Sequence, residues 1–261
     1  MLHNNHLRLS RNFEEQAVKK RKGEMVIDMK IYHTINSGLI FSWKDTAILV
    51  DVLHGKVNGF SDIPDPLRNQ VRSGTGPVMQ SNGLIFTHKH ADHYDADLVS
   101  EFLSKRPGIP LLTPGFYINC QPKYGHDIID RCFQIGPIDV IAVSTSHDGV
   151  IYSDVNHESY LIGVGEDYIL VAGDATLDQE ECVRIMDVKK PACGFFNVYQ
   201  LARPTVQQMI RTVHMKNVYL YHLGYEEDDD FQYHKLAKRV INRFPDDLPT
   251  PELIKPMEYI K

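Results

Sequence analysis

Cysteine is scarce in this chain, and the few cysteines lie far apart. The 261 residues include four, and no two of them form a Cys-x-x-Cys pair. Such scatter is typical of a reduced, cytoplasmic protein and argues against a disulfide scaffold. We therefore expect a cytoplasmic protein in which no cysteine acts as a metal ligand.

Long apolar segments and an excess of positive charge are also missing. No stretch has the length and apolar character of a membrane span, and the basic run at residues 19–22 lacks the apolar region of a secretory signal. The net charge of −6 gives no support for an anionic membrane or a nucleic acid as partner. The sequence leaves assembly into a homo-oligomer open.

Composition divides the chain into two regions. Residues 1–28 contain several basic and few apolar residues, and we expect them to form a partly ordered N-terminal extension. A basic arm that contacts a partner is the less favoured alternative. Residues 29–261 alternate strand-like and helix-like patterns, which predict a single domain. The patterns predict an antiparallel meander at residues 30–51, a hairpin at residues 158–172 and a helix from Thr176 to Met186, which Asp178 could cap.

One segment ends an apolar run in three histidines and two aspartates: Gly83 to Asp95. Side chains alternate along an extended segment, so His88 and His90 leave it on one side. The turn that follows can aim Asp92 and His93 at a neighbouring point, which predicts two adjacent metal positions. The spacing of two residues favours a strand and loop over a zinc-binding helix, whose histidines are four apart.

Packing is a weak explanation for this cluster, because burial of several unpartnered titratable groups is costly. Two further histidines, His147 and His222, each follow a predicted strand. Taken singly, such a histidine is usually a surface residue or a satisfied core residue. Both lie at strand ends, where α/β folds gather functional groups, and their joint placement favours a role in the site.

The segment Thr87 to His93 resembles the His-x-His-x-Asp-His signature of the metallo-β-lactamase superfamily. Further ligands of that family follow in order: a lone histidine, an aspartate in a Gly-Asp turn and a late histidine. His147, Asp174 and His222 are the matching candidates, and the likeness runs from about residue 29 to the C-terminus. The resemblance implies an α/β (α+β) fold, the four-layer αβ/βα sandwich, with the metals at the shared edge of two sheets.

The resemblance also implies a division of the ligands between two divalent metal ions. One ion would be held by His88, His90 and His147, the other by Asp92, His93 and His222, with Asp174 bridging them. Imidazole and carboxylate ligands without thiolate favour zinc, with manganese or iron as alternatives. The family's early strand-terminal acid is matched by Asp51, which is expected to fix a ligating imidazole or, alternatively, to be a plain turn residue.

Hydrolysis is the activity that the resemblance implies. The family's iron-dependent, oxygen-reducing branch typically has Glu where this chain has His90. A metal-bridging hydroxide would attack a small ester, lactone or phosphoester, with Asp92 orienting it or passing a proton to the leaving group. The alternatives are a metal-dependent nuclease or phosphodiesterase of the same superfamily, and a non-catalytic metal-bound partner protein.

A small-molecule substrate is favoured by residues 198–204, Val-Tyr-Gln-Leu-Ala-Arg-Pro. This segment resembles one near the pocket of the family's small-molecule branch, which includes L-ascorbate-6-phosphate lactonase. Tyr199 and Arg203 are thus candidate substrate contacts, and Arg203 suits a phosphate or carboxylate. An ordinary surface ion pair of Arg203 is an equal alternative. His157 is a weaker candidate contact, and His54 is expected to be an exposed loop residue.

Overall fold

Two mixed sheets form the centre of the molecule in the computed structural model, which describes residues 29–120 and 130–260. The predicted extension at residues 1–28 lies outside the described residues. Within them, each sheet has seven strands. Across the first sheet the order is β14 (Glu258–Ile260), β1 (Lys30–His33), β2 (Leu39–Trp43), β3 (Thr46–Val50), β4 (Gly83–Ile85), β5 (Leu111–Thr113) and β6 (Phe116–Ile118).

The predicted antiparallel meander forms one half of this first sheet. β1 pairs with β2, and β2 with β3, in antiparallel register. β3 and β4 are then parallel, with Val50 opposite Ile85. Parallel strands end at the same edge of a sheet, so Asp51 and the histidine-rich segment after β4 emerge side by side.

The second sheet brings the late candidate residues to one edge. Its order is β13 (Glu252–Leu253), β12 (Asn217–Leu220), β11 (Cys193–Phe196), β10 (Asp167–Val171), β9 (Asn156–Val164), β8 (Ile138–Ser146) and β7 (Asp130–Ile135). β9 and β10 form the predicted hairpin, and β10, β11 and β12 are parallel. β8 is antiparallel to β9 and therefore runs in the same direction as β10. The residues that follow β8, β10 and β12 thus share an edge.

The buried apolar side chains form three separate cores, because successive side chains along a strand point to opposite faces of its sheet. Ile48 and Val50 face the space between the sheets, where they join Ile169 of the second sheet, while Leu49 and Leu170 face outward. The outward faces are covered by helices because a sheet that is apolar on both faces must be buried on both. The four-layer αβ/βα sandwich is therefore confirmed.

Six α-helices lie in the described residues, besides three short 3-10 helices. They are α1 (Asp65–Ser73), α2 (Ala96–Lys105), α3 (Gln179–Val188), α4 (Val198–Leu201), α5 (Pro204–Val213) and α6 (Tyr233–Ile241). The helix predicted from Thr176 begins later, because the Asp178 carboxylate accepts the Glu181 N–H at 2.9 Å and caps it. No helix in the described part of the chain is long and apolar enough to cross a bilayer.

Replacement of Phe195 by alanine is expected to lower the free energy of unfolding by about 3–5 kcal/mol, because the cavity forms between the sheets. Phe195 is fully buried, and its ring lies 6.1 Å from that of Phe41 and 4.9 Å from that of Tyr219. Urea unfolding measures the change. Phe116→Ala, at a ring that is 55% exposed, is the control and should cost far less. Equal losses in the two variants would contradict the described core.

Candidate metal centre

Side chains from both sheets converge where the strand ends meet. One group contains His88, His90 and His147, and a second contains Asp92, His93, Asp174 and His222. Within each group, one ligating atom per residue lies within 4.8 Å of the others. The structure thus brings together all the residues that were predicted as ligands, and it groups Asp174 with the second set.

His147 presents a nitrogen that only an added group can satisfy. Its Nδ1 donates to the Asp148 carbonyl oxygen at 2.7 Å, so its Nε2 carries the lone pair. That Nε2 is buried and has no hydrogen-bond partner among the described residues. Buried polar atoms are nearly always partnered, and a lone pair aimed into a group of imidazoles suits a metal ion.

Asp174 lies between the two groups. Its Oδ2 is 3.9 Å from His88 Nε2, 3.8 Å from His147 Nε2 and 3.4 Å from His93 Nε2. Its Oδ1 is 3.2 Å from His222 Nδ1. A carboxylate in this position can give one oxygen to each of two cations, as the sequence predicted.

The turn that carries Asp174 is fixed by its surroundings. Its N–H donates to His157 Nε2 at 2.9 Å, and the preceding Gly173 N–H donates to the Tyr221 hydroxyl at 2.9 Å. Gly173 has φ of +59°, and a Cβ there would lie 2.6 Å from His157 Nε2. Only glycine fits this position, which explains the Gly-Asp pair in the sequence.

His157 was predicted as a weaker candidate for substrate contact. In the structure it supports the site instead. It is 2% exposed, and its Nδ1 lies 2.7 Å from the Thr145 hydroxyl. Because its Nε2 accepts the Asp174 N–H, the proton is on Nδ1. Burial lowers the pKa of His157 to about 3, so the ring stays neutral. Both ring nitrogens are used within the protein.

Asp51 orients His93 from the first sheet. Its carboxylate is fully buried and accepts hydrogen bonds from the Thr87 N–H at 2.8 Å, from the Thr87 hydroxyl at 2.7 Å and from His93 Nδ1 at 2.9 Å. The His93 Nε2 is left to face the second group. A partner of this kind fixes the tautomer and raises the basicity of a ligating imidazole.

The pKa values of the imidazoles differ across the site. Burial holds the pKa of His88 well below its usual value and also lowers that of His90, so both rings are neutral. Burial alone would lower the pKa of His93 too, but the charges of Asp92 and Asp51 raise it well above its usual value. His93 therefore lies where negative charge concentrates.

The two inner carboxylates stay ionised. Burial would raise the pKa of Asp92, yet the neighbouring His93 and His222 outweigh it and lower the pKa to about 2. The pKa of Asp174 is likewise well below its usual value, because His222 and His93 outweigh burial. No described lysine or arginine pairs with either carboxylate. The resulting field favours a bound cation.

The donor set fits divalent metals on three counts. The Nε2 of His147 is unpartnered, the neutral rings of His88 and His90 present nitrogens, and the second group adds ionised carboxylate. Nitrogen and oxygen donors in two adjacent groups suit zinc, manganese or iron. The residues alone therefore leave the choice among these metals open.

A cavity of about 530 Å³ opens over both groups. Tyr199 lines it and is 50% exposed, and its contact with a substrate stays a prediction. Arg203 was also predicted as a substrate contact, but it does not belong to the described lining. Its Nη2 pairs with Asp148 Oδ1 at 2.7 Å. The ion pair named as the alternative is the one that forms, because the loop after β8 carries Asp148 to the start of α5.

Several supporting residues were missed by the sequence analysis. The Asn197 amide donates to Asp174 Oδ1 at 3.1 Å, and the Asn36 carbonyl accepts the His222 N–H at 2.9 Å. The Ser37 hydroxyl is 3.1 Å from His93 Nδ1, and the Phe60 ring stacks on His222 with 4.4 Å between centroids. Asn197 ends a strand of the same sheet edge, so the signal that pointed to His222 also applied to it.

The expectation for His54 was wrong. It was predicted to be an exposed loop residue, but it is 0% exposed. Its Nδ1 lies 3.0 Å from the Gly55 carbonyl oxygen and 3.4 Å from the Asn36 amide nitrogen. The loop after β3 is covered by neighbouring segments, and a local sequence pattern cannot show this.

Asp51→Asn should weaken metal binding about 10–100-fold, because the amide cannot stabilise His93 as the carboxylate does. Equilibrium titration of the metal-free protein with Zn²⁺ measures the affinities. Asp45→Asn, in an exposed turn, is the matched control. Unchanged affinity in Asp51→Asn would show that Asp51 is only a turn residue.

Comparison with known proteins gives a likeness in fold. No protein-family model matches the chain, and no curated protein matches its sequence. A structure described as a possible metal-dependent hydrolase from Veillonella parvula DSM 2008 matches with a TM-score of 0.60 at 11% identity, over 89% of this chain and 98% of that one.

Two other solved structures carry more specific descriptions. Isothiocyanate hydrolase from Delia radicum gut bacteria matches with a TM-score of 0.57 at 13% identity, over 89% of this chain and 99% of that one. CmlA, a diiron β-hydroxylase from Streptomyces venezuelae, matches with a TM-score of 0.54 at 14% identity, over 89% of this chain and 54% of that one. The chain therefore shares the fold of metal-dependent hydrolases and carries two His/Asp groups that can hold metal.

Proposed function

We propose that this protein is a binuclear metal-dependent hydrolase of a small molecule. The observation that carries the proposal is the convergence of the two His/Asp groups beneath one cavity, together with the buried and unpartnered Nε2 of His147. The shared fold with metal-dependent hydrolases supports the same reaction class.

The ligands divide as the geometry groups them. His88, His90 and His147 would hold one cation, and Asp92, His93 and His222 the other, with Asp174 between them. Two such cations would supply a nucleophilic water at neutral pH and would polarise the carbonyl or phosphoryl oxygen of the substrate. Zinc is the metal that we propose, with manganese or iron as alternatives.

The chain's own residues orient the reactants. Asp92 lines the cavity, and its Oδ2 lies 3.1 Å from His222 Nε2. A carboxylate at this place can accept a hydrogen bond from the attacking water and turn its lone pair toward the substrate. The Asn197 amide holds Asp174 at 3.1 Å and so keeps the bridging carboxylate in place.

Size favours a small substrate. A cavity of about 530 Å³ lies within the range of small-molecule sites. Esters, lactones and phosphoesters are the substrate classes that we propose to test first. A nuclease would require a basic groove for the phosphate backbone. The described lining contains no lysine or arginine, and this disfavours the nuclease alternative.

His88→Ala and Asp174→Ala are each expected to remove bound metal and to lower hydrolysis to the background rate. Each change deletes one ligand from one of the two groups. Elemental analysis and a panel of ester, lactone and phosphoester substrates measure the two effects. His214→Asn, at the exposed residue after α5, is the control and should keep both. Full activity in a metal-free variant would refute the proposal.

Removal of metal from the unaltered protein should abolish hydrolysis reversibly. After dialysis against a chelator, Zn²⁺, Mn²⁺ and Fe²⁺ are added back separately, and the rate is followed as a function of metal per chain. Because two groups of ligands are present, activity should reach its plateau near two equivalents. A plateau near one equivalent would contradict a binuclear site, and retention of metal without turnover on any substrate would favour the non-catalytic alternative.

A further inference from the structure

Aromatic rings form much of the cavity wall beside the metal centre. Phe60 stacks on His222 at 4.4 Å and on Tyr233 at 5.4 Å between centroids. Phe231 lies 5.6 Å from Tyr233, and Tyr199 meets Tyr233 edge-on at 6.1 Å. We call Phe60, Tyr199, Phe231 and Tyr233 the aromatic wall. It is continuous with the second group of ligands through His222.

Two rings of the aromatic wall are unusually exposed for their size. Phe231 is 55% exposed and Tyr199 is 50% exposed, and both line the cavity. Phe231 is nevertheless held in place. It lies so close to Gly59, which has φ of +82°, that a Cβ there would be 2.2 Å from Phe231 Cδ2. Exposed apolar rings that are fixed at a site are typical of ligand contacts.

The charged lining is acidic. Asp92, Asp148 and Asp174 line the cavity, and the described lining includes no lysine or arginine. Two basic side chains near the cavity already have acidic partners. Arg203 pairs with Asp148 at 2.7 Å, and Lys56 pairs with Asp228 at 2.7 Å. Once the inner carboxylates serve the metals, the described lining offers no lysine or arginine to pair with a phosphate or carboxylate away from the metals.

We propose that the substrate is an uncharged ester or lactone that carries an aromatic ring. The ring would lie against the aromatic wall, where ring pairs gain about 0.5–1.5 kcal/mol beyond burial, and the carbonyl would lie over the His/Asp groups. This inference rests on the proposed hydrolase function and narrows it. It excludes substrates with an anionic group remote from the bond to be cleaved, including sugar phosphates.

The reaction balances without any further reactant. The water oxygen forms a bond to the carbonyl carbon, and the bond from that carbon to the alcohol oxygen breaks. One proton of the water goes to the departing oxygen. An ester gives a carboxylic acid, ionised at neutral pH, and an alcohol or phenol. A lactone gives a single hydroxy acid, whose carboxyl group is likewise ionised.

A matched pair of substrates tests the charge preference in the zinc-loaded protein. 4-Acetamidophenyl acetate and 4-carboxyphenyl acetate have leaving groups of similar acidity and differ by a charge far from the ester. After correction for the uncatalysed rates, kcat/KM should be at least about tenfold higher for the uncharged ester, because the lining offers the carboxylate no counter-charge. A preference for the carboxylate would overturn the inference and leave the hydrolase proposal standing.

A charge-changing variant supplies the reciprocal test. Asn58 lines the cavity, and Asn58→Lys should reduce the discrimination between the two esters about threefold or more by giving the carboxylate a partner. Gln208→Lys, an equal change of charge on the exposed face of α5, is the control and should leave the discrimination unaltered. Equal effects of the two variants would contradict a role for the lining.

The aromatic wall is tested by two truncations. Tyr199→Ala and Phe231→Ala should each raise KM for the uncharged aryl ester about 3–10-fold, with metal content unchanged. Phe116→Ala is matched to Phe231→Ala because Phe116 is also 55% exposed, but it lies on the edge strand β6. An unchanged KM in both cavity variants would overturn the inference.

A binding measurement separates failure of this inference from failure of the proposed function. If the metal-loaded protein hydrolyses no member of the ester, lactone and phosphoester panel, the hydrolase proposal fails. Hydrolysis of phosphoesters alone would overturn this inference and leave the hydrolase proposal standing. Binding of benzyl alcohol, followed by ligand-observed NMR, then tests the aromatic wall by itself. Binding that is lost in the Tyr199→Ala, Phe231→Ala double variant supports an aromatic ligand, and absence of binding to the unaltered protein refutes it.

Discussion

The balance of charge among buried carboxylates and imidazoles is the constraint on which this structure depends. Asp51, Asp92 and Asp174 lie close together, and among the described residues their ion-pair partners are all histidines. Burial of an unpaired carboxylate is costly, and neutral imidazoles compensate for it only in part. The site is therefore built so that added positive charge completes it. This explains why His93, between Asp51 and the inner carboxylates, has a pKa raised well above its usual value although burial opposes that shift.

Backbone strain is concentrated at the same place. Asp51 and His222 both have left-handed backbones, with φ of +51° and +63°, a conformation that non-glycine residues seldom adopt. Each is held by a hydrogen bond to a neighbouring segment: the Asp51 N–H donates to the Ile85 carbonyl at 3.0 Å, and the His222 N–H donates to the Asn36 carbonyl at 2.9 Å. The strand ends are thereby turned toward the centre, and the surrounding sheets stabilise a conformation that is unfavourable in isolation.

The residues at strand ends were predictable from the sequence because parallel strands bring their carboxyl ends to one edge. His147 and His222 could be assigned in this way before any coordinates, and the sandwich followed from the resemblance. The supporting residues could not be predicted from the sequence. Asn36 and Ser37 belong to an ordinary-looking turn. The contact of Asn36 with His222 depends on how one sheet packs against the other, and the contact of Ser37 with His93 joins segments of the first sheet that are distant in the chain. His54 was misjudged for the same reason, since its burial arises from segments distant in the chain.

The two groups of ligands draw on both sheets. The first sheet supplies the segment from His88 to His93, and the second supplies His147, Asp174 and His222. Elsewhere the sheets meet through apolar side chains and through hydrogen bonds, such as the Glu158 N–H to the Thr87 carbonyl at 2.9 Å and the Tyr160 hydroxyl to the Phe86 carbonyl at 3.3 Å. Any cation held there fastens one half of the sandwich to the other. By thermodynamic linkage, separation of the halves must release that cation, so the cohesion of the fold and the occupancy of the centre rise and fall together.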